Sequence, residues 1–244
     1  MKGVVLAGGL GSRLLPMTRV TNKHLLPVYD RPMIYYPLQT LVEAGVTEIL
    51  LVAGGNSAGG FLRLLGNGRE LGIRRLHYTY QAGEGGIAEA LGLAEDFADG
   101  GPLCVVLGDN LLQRSIRPHV EAFAARPHPR GAMILLKEVP DPQRFGVPRF
   151  AGERLVAIEE KPAAPPSRFA VIGVYFYDAR VFDIVRGLTP SARNELEITD
   201  VNNAYLSRGE LASAMVDGWW TDAGTVESLH RAAMLVAEER RTSR

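Results

Sequence analysis

Three glycines and an arginine follow a short apolar run near the start of the chain, in the segment LAGGLGSR at residues 6–13. Glycine lets backbone N–H groups approach phosphate oxygens closely, and arginine adds charge-assisted hydrogen bonds to them. The segment is not a dinucleotide fingerprint, because Gly-x-Gly-x-x-Gly is absent, and not a P-loop, because no Gly-Lys-Ser/Thr follows. By itself it fits a polyphosphate loop and a glycine-rich turn with a surface arginine about equally well.

A lysine and two aspartates could complete a phosphate site. Lys23 lies close enough in sequence to Arg13 to bring a second cation to the same anion. Asp109 follows the apolar run 103–107, at the carboxyl end of a predicted strand, where open α/β sheets gather ligands. A lone Asp there, or at Asp222, is usually a cap or turn residue, whereas a pair converging on phosphate would hold Mg²⁺.

The elements that would position these residues follow an alternating pattern. Short β-branched runs alternate with segments of helical period, which predicts an α/β fold with one broad, mostly parallel (mixed) central sheet flanked by helices. The predicted strands are 3–7, 48–53, 76–80, 103–107, 132–137, 155–159, 171–177 and 212–216. Helical stripes are predicted at 34–42, 87–94, 198–205 and from Thr225 towards Val236, and glycines at 45 and 209 end two of them.

Composition excludes several classes of protein. Lys plus Arg and Asp plus Glu are both 27, so no net field draws nucleic acid or an anionic membrane, and neither is an expected partner. The single cysteine, Cys104, rules out a disulfide framework or a thiolate metal site. No apolar run suits a signal peptide or a membrane span, so the expected location is the cytoplasm. Two proline-rich loops, 139–142 and 162–166, are interpreted as surface connections within a single domain of residues 1–244.

Three successive motifs carry a family resemblance. GGLGSRL at 8–14, KHLLP at 23–27 and PMIYYP at 32–37 resemble the sugar-1-phosphate nucleotidylyltransferase family, most closely a short-form glucose-1-phosphate thymidylyltransferase (dTDP-glucose pyrophosphorylase). The resemblance extends in order to about Glu239. It implies a Rossmann-like nucleotidyltransferase (GT-A-like) fold with a nucleotide-binding part at about 1–110, a sugar-binding part at about 111–225 and a C-terminal helix at 225–241.

The resemblance also implies the role of each site residue. The nucleotide would be bound by Leu6, Gly8, Gly9, Gly11, Ser12, Gln81, Gly86, Ile87 and Asp109. The sugar phosphate would be bound by Leu107, Gly146, Glu160, Lys161, Val171 and Tyr175, with Glu197 lining the same pocket. Asp109 and Asp222 would hold Mg²⁺ as the cofactor, and Arg13, Lys23 and Lys161 would be the catalytic residues.

These roles make chemical sense, although each has a structural alternative. An amide such as Gln81 both donates and accepts, as a thymine or uracil edge requires. Sugar hydroxyls need acceptors such as Glu160, and a phosphate needs a cation such as Lys161. Without the resemblance, Gln81 would be a polar strand end and 159–161 a surface charge cluster.

The sequence departs from the family pattern in three places. His24 stands where thymidylyltransferases usually have Gln, and Phe145 where they usually have Tyr, so hydrogen bonds to nucleotide or sugar are lost or moved. The chain also ends soon after the last predicted helix, whereas longer members continue into helices that form a subunit interface and a regulatory nucleotide site. The feedback control and tetrameric assembly of these longer members are therefore not inferred for this chain. A homo-oligomer stays an open alternative.

The implied reaction joins a nucleoside triphosphate, dTTP first and UTP next, to a hexose 1-phosphate, with glucose 1-phosphate the first candidate. It gives an NDP-sugar and pyrophosphate. The alternatives are the same reaction with another nucleotide or sugar, a glycosyltransferase, and a catalytically silent nucleotide-sugar sensor. A glycosyltransferase would typically carry Asp-x-Asp where this chain has GDN at 108–110, and a sensor would not need the whole charged set.

Overall fold

The computed structural model describes residues 1–55, 58–128 and 130–242. Within these ranges thirteen strands, β1 to β13, lie at Lys2–Ala7, Pro27–Val28, Arg31–Pro32, Glu48–Gly54, Arg75–Gln81, Leu103–Leu107, Asn110–Leu112, Ala132–Glu138, Gly146–Ala151, Arg154–Glu160, Phe169–Tyr177, Leu211–Met215 and Trp220–Asp222. Eight α-helices, α1 to α8, lie at Tyr35–Glu43, Ala58–Leu65, Ile87–Gly92, Glu95–Ala98, Arg117–Ala124, Val181–Arg186, Ile198–Ser207 and Val226–Thr242. None of the described helices is long and apolar enough to cross a membrane.

Nine strands form one sheet, in the order β10-β9-β11-β6-β1-β4-β5, with β8 also paired to β11 and β12 paired to β8. β11 is antiparallel to β6, β8 and β9, and β10 is antiparallel to β9, whereas the other neighbours in the sheet are parallel. Seven of the nine strands therefore run in the same direction. The predicted α/β class, with a mixed, mostly parallel sheet between helices, is confirmed.

The central strands are apolar on both faces because helices cover both. In β1, Val4 and Leu6 pack in one cluster with residues of α3, α6 and α7, and Val5 and Ala7 pack on the other face with residues of α1, α2 and α5. Alternating side chains of a strand point to opposite faces, so a strand buried on both sides becomes an uninterrupted apolar run. This is why the sequence identifies the central strands so clearly.

All eight predicted strands are present, and β9 is the ninth member of the sheet. The sequence does not predict β9 because Pro148 interrupts it, and proline is avoided within paired strands. The structure accommodates Pro148 because β9 pairs along its length with β10, while its pairing with β11 is confined to Gly146 and Val171.

The predicted helices differ from the structure mainly in one place. Of the predicted stripe at 87–94, residues 87–92 form α3, which ends at Gly92, a residue with a weak helical preference, and α4 begins at Glu95, beyond the stripe. The last helix begins one residue after Thr225, whose hydroxyl accepts a hydrogen bond from the Ser228 N–H at 3.2 Å as a helix cap does. The short helices α2, α4, α5 and α6 were not predicted.

Candidate active site

A cleft of about 600 Å³ opens where β1, β5 and β6 end, and β9, β10, β11 and the beginning of α7 form its other wall. Ligands of open α/β sheets gather at such carboxyl edges. Every residue that the sequence predicts for the site lines this cleft: Leu6, Gly8, Gly9, Gly11, Ser12, Arg13, Lys23, Gln81, Gly86, Ile87, Leu107, Asp109, Gly146, Glu160, Lys161, Val171, Tyr175 and Asp222.

The glycine-rich loop after β1 has the backbone that an anion site needs. Gly9 and Gly11 have positive φ angles of 87° and 64°, a conformation that side chains disfavour. The Leu10 N–H already donates to a carboxylate oxygen of Glu84 at 2.9 Å, in the loop between β5 and α3. The loop therefore offers a backbone donor to an anionic oxygen, as a phosphate would present.

Lys23 and Asp109 form an ion pair at the floor of the cleft. The Lys23 ammonium lies 2.6 Å from Oδ2 of Asp109, and the Asn110 amide donates to Oδ1 at 3.0 Å. Burial by itself would raise the pKa of Asp109, but the Lys23 charge and these hydrogen bonds hold it well below its ordinary value. Asp109 is therefore a carboxylate at neutral pH.

Asp222 is brought to Asp109 by a small two-stranded ladder. β13 pairs antiparallel with β7, with Asp222 opposite Asn110, and the Ala223 N–H donates to the Asp109 carbonyl at 2.8 Å. Two backbone segments more than a hundred residues apart thus lie side by side. The ladder is made of three-residue strands, too short for a periodic sequence pattern to reveal.

The two carboxylates and Arg13 converge on one small space. The position that a Cβ atom would take on Gly224 lies 3.3 Å from Asp222 Oδ2 and 3.4 Å from both Asp109 Oδ2 and Arg13 Nη2. Burial, and then the charge of Asp109, raise the pKa of Asp222, against the opposing charge of Arg144. A raised pKa next to a second acid is the effect expected of two carboxylates that share a site.

Arg144 is a member of the site that sequence reasoning did not single out. Its guanidinium donates to Asp222 Oδ2 and to Asp141 Oδ2, each at 2.8 Å, and lies 4.9 Å from the centre of the Phe145 ring. Phe145 in turn packs edge-on against Trp220 at 5.2 Å. The signal was present in the sequence, since Arg144 stands directly before Phe145 and Gly146, which the sequence analysis did consider.

The wall of the cleft formed by β10, α7 and the segment before α7 carries a cluster of acids around two cations. Glu160 lies 3.3 Å from the Lys161 ammonium and accepts a hydrogen bond from the Thr199 hydroxyl at 2.6 Å. Arg193, which the sequence analysis also missed, lies 2.7 Å from Glu197 and 3.4 Å from Glu160. Carboxylates here can accept from hydroxyls while the cations face an anion.

His24 is buried in the wall of the cleft as a neutral imidazole. Burial, and then the charge of Lys23, lower the pKa of His24 from 6.5 to about 3. Its Nδ1 lies 2.7 Å from Asn22 Oδ1, while the Asn22 amide nitrogen donates to the carbonyls of Ala7 and Gly54. Since Asn22 Oδ1 is the acceptor, the proton of His24 is assigned to Nδ1.

Comparison with known proteins identifies the family. A family model described as nucleotidyl transferase matches residues 2–239 of the chain. The chain belongs to this nucleotidyl transferase family.

Relatives of this nucleotidyl transferase carry a more specific name. The chain is 46% identical to a glucose-1-phosphate thymidylyltransferase of Neisseria gonorrhoeae, over 97% of this chain and 82% of the relative. It is 48% identical to a protein of the same name from Actinoplanes sp., over 95% of this chain and 77% of the relative.

Solved structures agree with the fold. A Bacillus anthracis protein proposed to be a glucose-1-phosphate thymidylyltransferase, crystallised with sucrose, is 50% identical and superposes with a TM-score of 0.91 over 96% of this chain and 94% of that chain. A UDP-glucose pyrophosphorylase in complex with UDP-glucose has a TM-score of 0.84 over 98% of each chain. It is 24% identical, so this second likeness supports the fold alone.

The acids of this nucleotidyl transferase suit one kind of metal site. Among the described residues, no group of three or more His, Cys, Asp and Glu side chains could hold a metal ion alone. Mg²⁺ binds through one or two carboxylates and completes its shell with substrate phosphates and water. The convergence of Asp109 and Asp222 beside Gly224 fits that arrangement, and a closed cage built from protein alone does not.

Proposed function

We propose that this chain transfers the nucleotidyl group of dTTP to glucose 1-phosphate, giving dTDP-glucose and pyrophosphate, with UTP as the second candidate nucleotide. The observation that carries the proposal is the meeting of Asp109, Asp222 and Arg13 around the Gly224 position, between the glycine-rich loop and the sugar-side acids. The relatives named glucose-1-phosphate thymidylyltransferase support this choice of substrates. Thymine and uracil present the same hydrogen-bonding edge, which keeps UTP as the second candidate.

The chemistry is a displacement at the α-phosphorus of the nucleotide. An oxygen of the sugar phosphate forms a bond to that phosphorus, the bond from phosphorus to the bridging oxygen breaks, and pyrophosphate leaves with the electron pair. The attacking oxygen is already anionic, so no strong general base is needed. Catalysis then consists of positioning and charge neutralisation.

The residues of the cleft divide these tasks. Arg13 and Lys23 would neutralise the α-phosphate and the leaving pyrophosphate, and Lys161 would orient the attacking phosphate. Asp109 and Asp222 would hold Mg²⁺. When bound, the ion would supply charge neutralisation on the phosphate oxygens.

We assign recognition to the two walls of the cleft. The part at about 1–110 would bind the nucleotide, with Gln81 and the Gly86 backbone reading the base and Ile87 packing near the ribose. The part at about 111–225 would bind the sugar, with Gly146 and Glu160 bonding its hydroxyls.

The test is a matrix of nucleoside triphosphates against sugar 1-phosphates, read by pyrophosphate release with and without Mg²⁺. The highest kcat/KM is expected for dTTP with glucose 1-phosphate, and it should require Mg²⁺. An Arg13→Ala, Lys23→Ala double variant should lose far more turnover than thermal stability, although Lys23 also pairs with Asp109. Pyrophosphate release by none of the pairs would overturn the proposal, and nucleotide-sugar binding without turnover would favour the silent sensor.

A further inference from the structure

The Gln81 amide, in the nucleotide half of the cleft, is held in one orientation. Gln81 is only 5% exposed. Its Nε2 donates to Glu89 Oε2 at 2.6 Å and to the Gly86 carbonyl at 3.2 Å. A carboxylate and a carbonyl can only accept hydrogen bonds, so the amide nitrogen of Gln81, and not its oxygen, must face Glu89 and the Gly86 carbonyl. The Oε1 atom of Gln81 must therefore face away from Glu89.

Two glycines leave the room that this pair of side chains occupies. A Cβ atom on Gly8 would lie 2.6 Å from Gln81 Oε1, and a Cβ atom on Gly85 would overlap the Glu89 carboxylate. Neither glycine has a φ angle in the left-handed region, so both are needed here for space rather than for backbone conformation. The amide oxygen is thus turned towards the glycine-rich loop, on the side where the nucleotide would lie.

We propose that Glu89 is a positioning residue for base selection, because it fixes the Gln81 amide so that an acceptor, not a donor, meets the base. This inference rests on the proposed function. A thymine or uracil ring carries an N–H donor beside its carbonyl oxygens and can pair with Gln81 Oε1. Cytosine has a bare ring nitrogen at that position, which would set acceptor against acceptor, so the arrangement rejects cytosine nucleotides.

A purely structural role for Glu89 makes a different prediction. Glu89 lies in the first turn of α3, where an acidic side chain stabilises a helix through its dipole. Removing the charge would then lower the melting temperature and leave the preference between bases unchanged. Base preference is therefore the readout that separates the two roles.

The experiment measures kcat/KM for dTTP and dCTP with glucose 1-phosphate in three variants. Glu89→Gln keeps the shape but lets the Gln81 amide turn, and the ratio of dTTP to dCTP should fall about tenfold, the effect of one hydrogen bond, mainly through KM. Gly85→Ala displaces the Glu89 carboxylate without removing its charge and should have the same effect. Glu227→Gln, at an exposed first-turn acid of α8, is the matched control and should leave the ratio unchanged.

A double-variant cycle tests whether Glu89 acts through Gln81. In a Gln81→Ala background, Glu89→Gln should no longer change the ratio. The inference is overturned if the wild-type protein does not discriminate dTTP from dCTP, if Glu89→Gln and Gly85→Ala keep the wild-type ratio, or if the fall persists without Gln81. Calorimetric binding of dTTP and dCTP needs no turnover, so it tests the inference even where absent pyrophosphate release has refuted the proposed function.

Discussion

At the scale of single residues, the site is organised by pairing two partly buried acids each with a cation. Asp109 is bound by Lys23 at 2.6 Å and Asp222 by Arg144 at 2.8 Å. Two carboxylates placed side by side repel each other, and burial adds a desolvation cost. The paired cations offset both effects, so the acids can be kept together before any ligand arrives.

Gly224 should be needed for the space between these acids. In a Gly224→Ala variant, the new methyl group would lie 3.3 to 3.4 Å from Asp222, Asp109 and Arg13, closer than side chains usually pack. We expect kcat/KM to fall by about tenfold or more, since misplacing catalytic groups is costly, with the melting temperature little changed because the φ angle suits alanine. Pyrophosphate release and thermal unfolding measure the two effects, and full activity would show that the space is not used.

His24 should make the protein sensitive to mild acid. Its pKa is about 3 when folded and 6.5 when unfolded, so the unfolded chain takes up a proton below pH 6.5 that the folded chain refuses. The contribution of the neutral His24 to the free energy of unfolding is fully present above pH 6.5 and is lost as the pH falls towards 3. Between pH 7 and 5 the loss is about 2 kcal/mol in the free energy of unfolding.

The variant that checks this is His24→Gln, the residue usual in thymidylyltransferases. Urea unfolding of both proteins at pH 7 and pH 5 gives the difference directly, because the other titrating groups are shared. The variant should lose about 2 kcal/mol less than the wild-type protein over this interval. Parallel pH profiles would contradict a buried neutral imidazole at this position.

At the scale of elements, two short connections join the two walls of the cleft. The ladder of β7 and β13 carries Asp222 to Asp109. The loop before α3 is joined to the segment before α7, since Leu196 N–H donates to the Gly85 carbonyl at 2.8 Å and Ala88 N–H donates to the Leu196 carbonyl at 3.1 Å. The second connection therefore holds the loop before α3 against the segment before α7.

Gly86→Ala should break this second connection. Gly86 has a φ angle of 98°, and a Cβ atom there would lie 2.5 Å from the Leu196 carbonyl oxygen. The strained backbone alone costs about 1–3 kcal/mol, and the steric overlap pushes the two loops apart. We expect a lower free energy of unfolding together with a higher KM for both substrates. Gly83→Ala is the matched control, because it has a φ angle of 115° but no atom within 4 Å of its Cβ position.

At the scale of the whole molecule, the cleft depends on the sheet staying intact. Its lining includes residues at the ends of β1, β5, β6, β9 and β10 and in the middle of β11, so the sheet positions much of the cleft. A ligand bound in the cleft therefore stabilises the folded chain as a unit.

Thermal unfolding should report nucleotide binding directly. With dTTP and Mg²⁺ at a hundred times the Kd, the stabilisation is about 2.7 kcal/mol, or about 5–10 °C in melting temperature for a chain of this size. The same concentration of sulfate is the control for nonspecific anion effects and should give a much smaller shift. Equal shifts with dTTP and sulfate would argue against a nucleotide site.

The sequence by itself determined the fold class, eight of the nine strands of the central sheet and many of the residues of the cleft. The central strands β1, β4 and β6 were recognisable because they are buried on both faces, and such strands appear in the sequence as continuous apolar runs. The glycines and charged residues stood out because they follow directly where those strands end. The resemblance to a family then indicated which of them belong together.

The tertiary structure alone decided which groups meet and how they are oriented. The ladder of β7 and β13 is too short to leave a periodic pattern, so the approach of Asp222 to Asp109 could not be derived from spacing. Arg144 and Glu89 act through partners 78 and 8 residues away, in directions set by the packing of loops rather than by local preference. Residue types fix what a side chain can do, but long-range contacts fix what it faces.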